Sequence, residues 1–391
     1  MIVDRVNYLH EDTINHTGPS MRVLLIYSTA NLGGAEIYAI NHIDILKDTV
    51  EYLVVTPEDS YLSAEVGKLG IPSFEVPITY PKCDIGQILY SVNRIMDRID
   101  QYRPDIVQVH HLPAAMVGSM VSRALDIPLL FNIDSAYIRE PYRSFLTTVP
   151  SYVLCASHTG YDVITNENLC PPERTFIAEP GTDLSQFTLT DPLARRRARH
   201  FWGLDVNKKT IGVAARLVED KGVQQVVEAL PILLKTFGPD LQLVFAGVGP
   251  LQEKLKEVVA AEGLENFVRF LGYVSRSDMP QFYKALDVMV LASMREGRPI
   301  SIMEAIASGI PVVTTPVGDN PRMICSGVNG WLIDHAQSID IAQGIQRVFE
   351  KNNMLTECQQ YDKNLRLTFD HVARAKDVQS AYQQIIHEYS H

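Results

Sequence analysis

Short aliphatic and β-branched runs recur along the chain, most of them followed by a glycine- or proline-marked break and a stretch with helical spacing of apolar positions. The first, Val23 to Ile26 in MRVLLIYS, predicts a buried strand; Gly33-Gly34 breaks the chain, and AEIYAINHIDILKD then spaces its apolar residues as a helix does. Strand, glycine turn and helix form the opening unit of a parallel α/β sheet. The pattern continues through EYLVVTP, IPSFEVP, PDIVQVHH, IPLLFNID and SYVLCAS, with helices predicted over 88–102 and 114–125. A second series runs through KKTIGVAARL, LQLVFAGVGP, NFVRFLGYV, DVMVLAS, IPVVTTP and GWLID, separated by helical stretches at 223–237, 251–261, 277–285 and 302–308. The Pro-Gly of EPGTDLSQF marks a hinge between the two series. The fold expected is α/β, with two doubly wound parallel-sheet domains over 21–183 and 184–372 and a final amphipathic helix within 373–391. Two such domains set the carboxyl ends of their strands around a shared cleft, so chemistry belongs in the loops that follow the strands.

A length of 391 residues exceeds one ordinary core and agrees with that division. Hydrophobic residues at 46% and charged ones at 21% give the balance of a globular enzyme rather than of a disordered or fibrous chain. A formal charge of −11 leaves no global basic field for nucleic acid or anionic lipid, so an anionic ligand must be held by local donors. Cys83, Cys155, Cys170, Cys325 and Cys358 are scattered and lack C-x-x-C spacing, which argues against a disulfide framework or a zinc site and for a reducing compartment. Residues 1–20 are acidic and polar where a secretory signal needs a basic start and an apolar run, and they read as a flexible extension. Its Asn15-His16-Thr17 sequon has no consequence in a chain that is not secreted. No run approaches the roughly eighteen apolar residues of a spanning helix, so a cytoplasmic protein is expected, with peripheral membrane contact at the cytoplasmic face left open.

The stretch MREGRPISIMEAIASGIPVV, residues 294–313, places two glutamates in apolar and small-residue surroundings. Pro299 suits the first turn of a helix, because its missing N–H costs nothing there, and Gly309 with Pro311 stops that helix. Glu296 therefore lies in the loop before the helix and Glu304 within it. Amides near residues 297–301 form an electropositive site for a phosphate or a developing negative charge. Glu296 at its mouth can accept hydrogen bonds from sugar hydroxyls, and Glu304 can accept two from the cis-diol of a ribose. The plain alternative is a solvated loop acid and an exposed helix acid, but a lone acid inside ISIMEAIASGI is costly without a partner. The pattern E-G-x-P-x-x-x-x-E-A-x-A-x-G-x-P-V-V resembles the E-x7-E signature of retaining nucleotide-sugar glycosyltransferases, specifically glycosyltransferase family 4 with its GT-B fold of two Rossmann-like domains facing a central cleft.

Other motifs resemble that family in turn. VAARLVEDKGVQQVVEAL sets Arg216 at the close of a strand and Lys221, beside Gly222, just before a helix; two cations and a helix start can stabilise a leaving diphosphate, as the similar R-x4-K-G of the family does. Solvated charges near helix ends are the alternative. FAGVGPLQEKL fails as a dinucleotide fingerprint, because Gln252 stands where the third glycine belongs. It resembles the family's G-x-G-P turn, with Gly247 and Gly249 flanking the nucleotide, or else is a tight turn with no ligand. VRFLGYV resembles the segment whose main chain reads the base, around Gly272, Tyr273 and Val274, and fits UDP and GDP alike. NLGGAEIYA resembles the G-G-A-E loop, in which Gly33 and Gly34 let the backbone approach a phosphate or the transferred sugar. In PDIVQVHHLP the resemblance assigns His110, rather than His111, to hydrogen-bond the donor sugar, against the reading of a satisfied core histidine. Gly297, Arg298, Pro299 and Ile300 are carried over as donor contacts beside Glu304.

The chain also departs from the family. FNIDSAY has Asn132 and Asp134 where many relatives carry histidine and aspartate, VGDNPRMI has Asp319, Asn320 and Arg322 in place of Gly-Gly-x-Pro-Glu, and Arg298 takes a position commonly apolar. The RRRAR run at 195–199 reads as a solvated helix face, with contact to an anionic acceptor or membrane as the alternative, and Arg139 and Arg143 lie in the domain expected to hold the acceptor. The resemblance implies a retaining hexosyltransferase. It would move a hexose or N-acetylhexosamine from a nucleotide diphosphate sugar, a UDP-sugar before GDP-mannose, to a glycan, lipid-linked or small-molecule acceptor, as in polysaccharide biosynthesis. Glu296, Lys221, Arg216 and His110 would be catalytic, with no cofactor and no metal; an Asp-x-Asp motif is absent from the sequence. The donor would sit on 184–372 and the acceptor against 21–183, with the C-terminal helix packed back on the N-terminal domain. A nucleotide-sugar epimerase of the same architecture and a catalytically silent sugar-nucleotide-binding module are the alternatives.

Overall fold

The computed structural model describes residues 21–30, 33–79, 84–149, 151–351 and 353–390; the extension 1–20 with its sequon, and Cys83, lie outside the described residues. Seven strands, β1 (Met21–Ile26), β2 (Val50–Thr56), β3 (Ser73–Glu75), β4 (Ile106–His110), β5 (Leu129–Ile133), β6 (Tyr152–Cys155) and β7 (Thr175–Ile177), form a parallel sheet in the order β3-β2-β1-β4-β5-β6-β7. Six more, β8 (Lys209–Ala214), β9 (Leu241–Ala246), β10 (Val268–Gly272), β11 (Val288–Leu291), β12 (Val312–Thr314) and β13 (Gly330–Leu332), form a second parallel sheet in the order β10-β9-β8-β11-β12-β13. Helices cover both faces of each sheet, and this is why the central strands are apolar runs rather than alternating ones: β4 and β5 are buried along their whole length. The α/β architecture is the one expected.

Most anticipated helices form within two or three residues of their expected ends: Ile85–Ile99, Leu112–Leu125, Val223–Phe237, Gln252–Ala261, Met279–Lys284 and Ile300–Ala307. Strand β7 and the helices Tyr61–Lys68, Tyr142–Thr148 and His158–Asn166 were not anticipated; each is short, and Tyr142–Thr148 buries only Phe145 and Leu146, too few positions to set a period. The basic run at 195–199 is not a solvated face throughout. Arg195 and Arg199, one helical turn apart, both face inward and pair with Asp287 at 3.4 and 2.5 Å, while Arg196 and Arg197 are exposed.

The chain crosses between the halves twice. After helix Met354–Leu367, which packs on Ile300–Ala307, it returns to the first half: the Thr182 N–H donates to the Phe369 carbonyl at 2.8 Å, and Thr182 bridges to Asp370. A Cβ on Gly181 would lie 2.5 Å from the His371 Cα, so glycine is what lets the two crossings touch. Helix His371–Tyr389 then packs on helix Gly34–Leu46 and buries Val378, Ala381, Tyr382 and Ile385 in the core of the first half. Among the described residues no helix is long and apolar enough to cross a membrane.

Strand order reverses between β1 and β4 in the first sheet and between β8 and β11 in the second. Ligands of open α/β sheets bind at such reversals, outside the carboxyl ends of the strands. The strand ends and loops at these positions carry Gly33 and Gly34, His110 and His111, Arg216 and Lys221, and Glu296.

Candidate functional site

In the second half the site is built around one ion pair. Lys221 lies in a single 3-10 turn closed by Gly222, whose φ is 64°, and a Cβ there would stand 2.2 Å from the Ala292 carbonyl oxygen, so glycine seats the lysine loop against the end of β11. Lys221 Nζ is 2.7 Å from Glu296 Oε1, which also accepts from Ser293 Oγ at 2.7 Å. Both side chains are mostly shielded, at 17% and 11% exposure, where reduced dielectric strengthens the attraction. Helix Ile300–Ala307 begins just beyond, with no side chain capping it, so its first amides lack intrahelical partners. Arg216 is exposed after β8, and its loop is clamped by the glycine turn: Cβ atoms on Gly247 and Gly249 would lie 2.0 and 2.4 Å from the carbonyl oxygens of Ala215 and Leu217. The Gly247 N–H donates to the Gly272 carbonyl at 2.8 Å, which sets the segment 272–274, with exposed Tyr273, beside this turn.

Glu304 accepts from the Tyr283 hydroxyl at 2.8 Å. Burial pushes its carboxyl up to about 7, against the opposing pull of that hydrogen bond and of Arg276. Arg276 itself reaches the other half, donating to Asn41 Oδ1 at 2.6 Å.

On the first half, the Gly33 N–H donates to Glu36 Oε2 at 2.7 Å, and Thr29 donates to the same carboxylate; Gly34 has open space where a Cβ would go. His110 is fully buried. Its Nε2 lies 2.8 Å from the Tyr27 hydroxyl and 3.3 Å from the Gln108 amide nitrogen, its Nδ1 lies 3.4 Å from Asp134 Oδ2, and Tyr27 stacks on the ring at 4.0 Å. The tautomer with hydrogen on Nδ1 fits all three contacts. Tyr382, from the C-terminal helix, donates to Gln108 behind it. Asn132 donates to Asp134 Oδ1 at 2.6 Å. Burial pushes the Asp134 carboxyl up, but the hydrogen bond from His110, with help from His111 and Asn132, outweighs it and holds the group low. His111 is half-buried with φ of 65°, and burial pushes its imidazole down.

A third cluster joins the halves. Arg298 Nη1 lies 2.8 Å from Glu179 Oε1 and 3.4 Å from Asp319 Oδ2; Glu179 also meets His158 at 2.9 Å and Arg374 at 3.4 Å. Fully buried Asp319 accepts from the His158 and Thr159 amides at 3.1 and 3.0 Å and from Thr159 Oγ1 at 2.8 Å, satisfying the start of helix His158–Asn166 from the opposite half. His158, Glu179 and Asp319 have metal-ligand spacing, with ligand atoms within 4.8 Å of one another, but both carboxylates are already paired with cations, Asp319 with Arg298 and Glu179 with Arg298 and Arg374.

Two family models match in tandem: Glycosyltransferase Family 4 over residues 32–186 and Glycosyl transferases group 1 over 194–365. The chain belongs to the family 4 type of GT-B glycosyltransferases. Among curated relatives, this glycosyltransferase is 27% identical over 299 residues to a D-inositol 3-phosphate glycosyltransferase of Arthrobacter sp. (strain FB24), covering 70% of each chain. It is 25% identical over 329 residues to the putative glycosyltransferase EpsD of Bacillus subtilis (strain 168), covering 80% of this chain and 85% of that one. Its fold is similar to that of Anabaena Alr3699/HepE, with TM-score 0.78 and 22% identity, covering 93% of this chain and 100% of the other. It is similar also to sucrose-phosphate synthase from Thermosynechococcus elongatus, with TM-score 0.78 and 17% identity, covering 94% and 100%.

Within the glycosyltransferase fold, Glu296, Lys221, Arg216, Gly247, Gly249 and the start of the 300–307 helix come together after β8, β9 and β11. His110 lies within the opposite sheet. Sequence reasoning did not find Glu179 or His158, treated Asp319 only as a departure, and carried Arg298 over as a donor contact as well as a departure, whereas its guanidinium pairs with Glu179 and Asp319. The signal for Arg298 and Asp319 was a charge at a position where the resemblance expects an apolar or small residue.

Proposed function

We propose that this glycosyltransferase moves a hexose or N-acetylhexosamine from a nucleotide diphosphate sugar to a glycan, lipid-linked or small-molecule acceptor, with retention at the anomeric carbon. The observation that carries the reading is the Lys221–Glu296 pair beside an uncapped helix start, a cation, a carboxylate and unpaired amides within one loop. The donor diphosphate lies across the helix start, and Arg216, Lys221 and the amides take up negative charge as the glycosidic bond to phosphate loosens. A donor phosphate oxygen receives the acceptor hydroxyl proton on the same face. Glu296 accepts from a sugar hydroxyl, and Glu304 accepts from the ribose diol. His110, enclosed by Tyr27 and Gln108, serves by holding Asp134, whose side chain is 26% exposed. The arrangement calls on no cofactor and no metal, because arginine and lysine supply the positive charge. A UDP-sugar is preferred over a GDP-sugar, since HepE is described in complexes with UDP, with UDP-glucose, and with UDP and glucose.

The test is a screen of purified protein against UDP- and GDP-sugars, following thermal shift and nucleotide release. Stabilisation by UDP-sugars with nucleotide release supports transfer. Stabilisation without release in any acceptor mixture reduces the protein to a binding module, and no stabilisation by either class overturns the donor assignment.

A further inference from the structure

The loop after β5 and the loop after β11 meet across the cleft: a Cβ on Gly297 would lie 2.2 Å from the Asp134 carbonyl oxygen, so the two backbones touch. Beside that contact stands Tyr137, 48% exposed, with the Arg139 guanidinium 4.2 Å and the Arg295 guanidinium 5.3 Å from its ring centroid. One arginine comes from each half. The carboxylates of these loops are engaged elsewhere: Asp134 with His110 and Asn132, Glu296 with Lys221 and Ser293, Glu140 with Ser144. Among the described residues neither Arg139 nor Arg295 forms an ion pair, unlike Arg298 and Lys221 nearby.

Two unneutralised guanidiniums on one ring repel each other, and a third group of negative charge relieves that repulsion. The ring carries both guanidiniums yet stays 48% exposed, and its exposed part offers apolar contact to the C–H groups of a sugar. In a chain of net charge −11 no global field gathers anions, so two cations without an ion pair mark this place locally. We propose that Tyr137, Arg139 and Arg295 form an acceptor subsite, and that the acceptor is an anionic sugar or polyol whose phosphate or carboxylate lies between the two guanidiniums. The inference rests on the transfer reaction above, because the subsite adjoins Glu296. It also makes the subsite complete only while the halves are apposed.

Isothermal titration of the full chain saturated with UDP tests this with four probes: glucose 6-phosphate, glucuronate, glucose and inorganic phosphate. At least one anionic sugar binds saturably and glucose binds about tenfold more weakly or less; Arg139→Gln and Arg295→Gln each weaken the anionic probe by about tenfold, as loss of a charge-assisted hydrogen bond does. Tyr137→Ala weakens the sugar phosphate while leaving inorganic phosphate unchanged. The proposal is overturned if neither anionic sugar binds, if glucose binds as tightly, or if both arginine variants match wild type. UDP titrated alone reports separately on the donor: arginine-dependent anion binding in a protein that ignores UDP keeps the subsite and discards the donor reading.

Discussion

Lys221 and Glu296 are one another's partners at 2.7 Å, so deleting either leaves the other charged and mostly shielded. Lys221→Ala removes a cation from the leaving diphosphate, and Glu296→Ala removes an acceptor for a sugar hydroxyl. Each is expected to lower kcat/KM by about 10²–10³ with an unchanged circular dichroism spectrum, since both residues lie outside the sheets and long helices. Full turnover in both would refute their roles. Glu304 makes a different prediction because burial pushes its carboxyl up to about 7 from the usual 4.5. A raised carboxyl favours the folded state when protonated, so its stabilisation is complete below about 4.5 and is lost as pH climbs to about 7. Only the charged form accepts both ribose hydroxyls, so UDP binding expels the proton. Affinity should rise several-fold from about pH 6 to 7 and level off above about 8. Titration calorimetry at pH 6 in buffers of different ionisation heat should register a released proton in the wild type and none in Glu304→Gln.

Gly34 and Gly249 both lie in glycine turns that follow strands, yet the elements around them ask for different things. Nothing lies within 4 Å of a Cβ on Gly34, which opens a helix, whereas a Cβ on Gly249 meets the Leu217 carbonyl at 2.4 Å. Gly34→Ala should therefore leave urea stability unchanged or raise it by about 0.5–1 kcal/mol, and any loss of turnover would report a ligand passing close to the backbone. Gly249→Ala should lower stability and weaken UDP binding together, because it displaces the Arg216 loop. The glycines were legible in sequence as breaks, but which one serves packing was not, since the obstacle to Gly249 comes from another strand's loop. The same boundary runs through the whole reading. Strand runs, glycine turns and the Glu296-to-Glu304 spacing are local and showed themselves. The burial of His110 depends on Tyr27 and Tyr382 from two other segments as well as Gln108 of its own strand, and the Arg298–Glu179 pair joins distant segments, so neither left a periodic trace.

At the scale of the whole molecule, the two halves are joined by chain crossings that are themselves bonded, Thr182 to Phe369 and Asp370, so any closing motion pivots there. The charge cluster straddles the pivot: Glu179 precedes the first crossing, Arg374 follows the second, and Arg298 and Asp319 approach from the second half. Asp319 is the member with most to lose, since it is fully buried and holds both Arg298 and the start of helix His158–Asn166. Asp319→Ala leaves two helix amides unsatisfied and the guanidinium with one carboxylate fewer, a loss of about 3–5 kcal/mol by the scale of broken buried pairs. Thr159→Val removes only the hydroxyl contact and should cost about 1 kcal/mol. If the cluster fixes the apposition of the halves, Asp319→Ala should also enlarge the radius of gyration in small-angle scattering and make UDP binding contract it again, whereas Thr159→Val should do neither. A destabilised Asp319 variant with unchanged dimensions, with or without UDP, would confine the aspartate to supporting its own loop and leave the apposition to Arg276, Gly297 and the crossings.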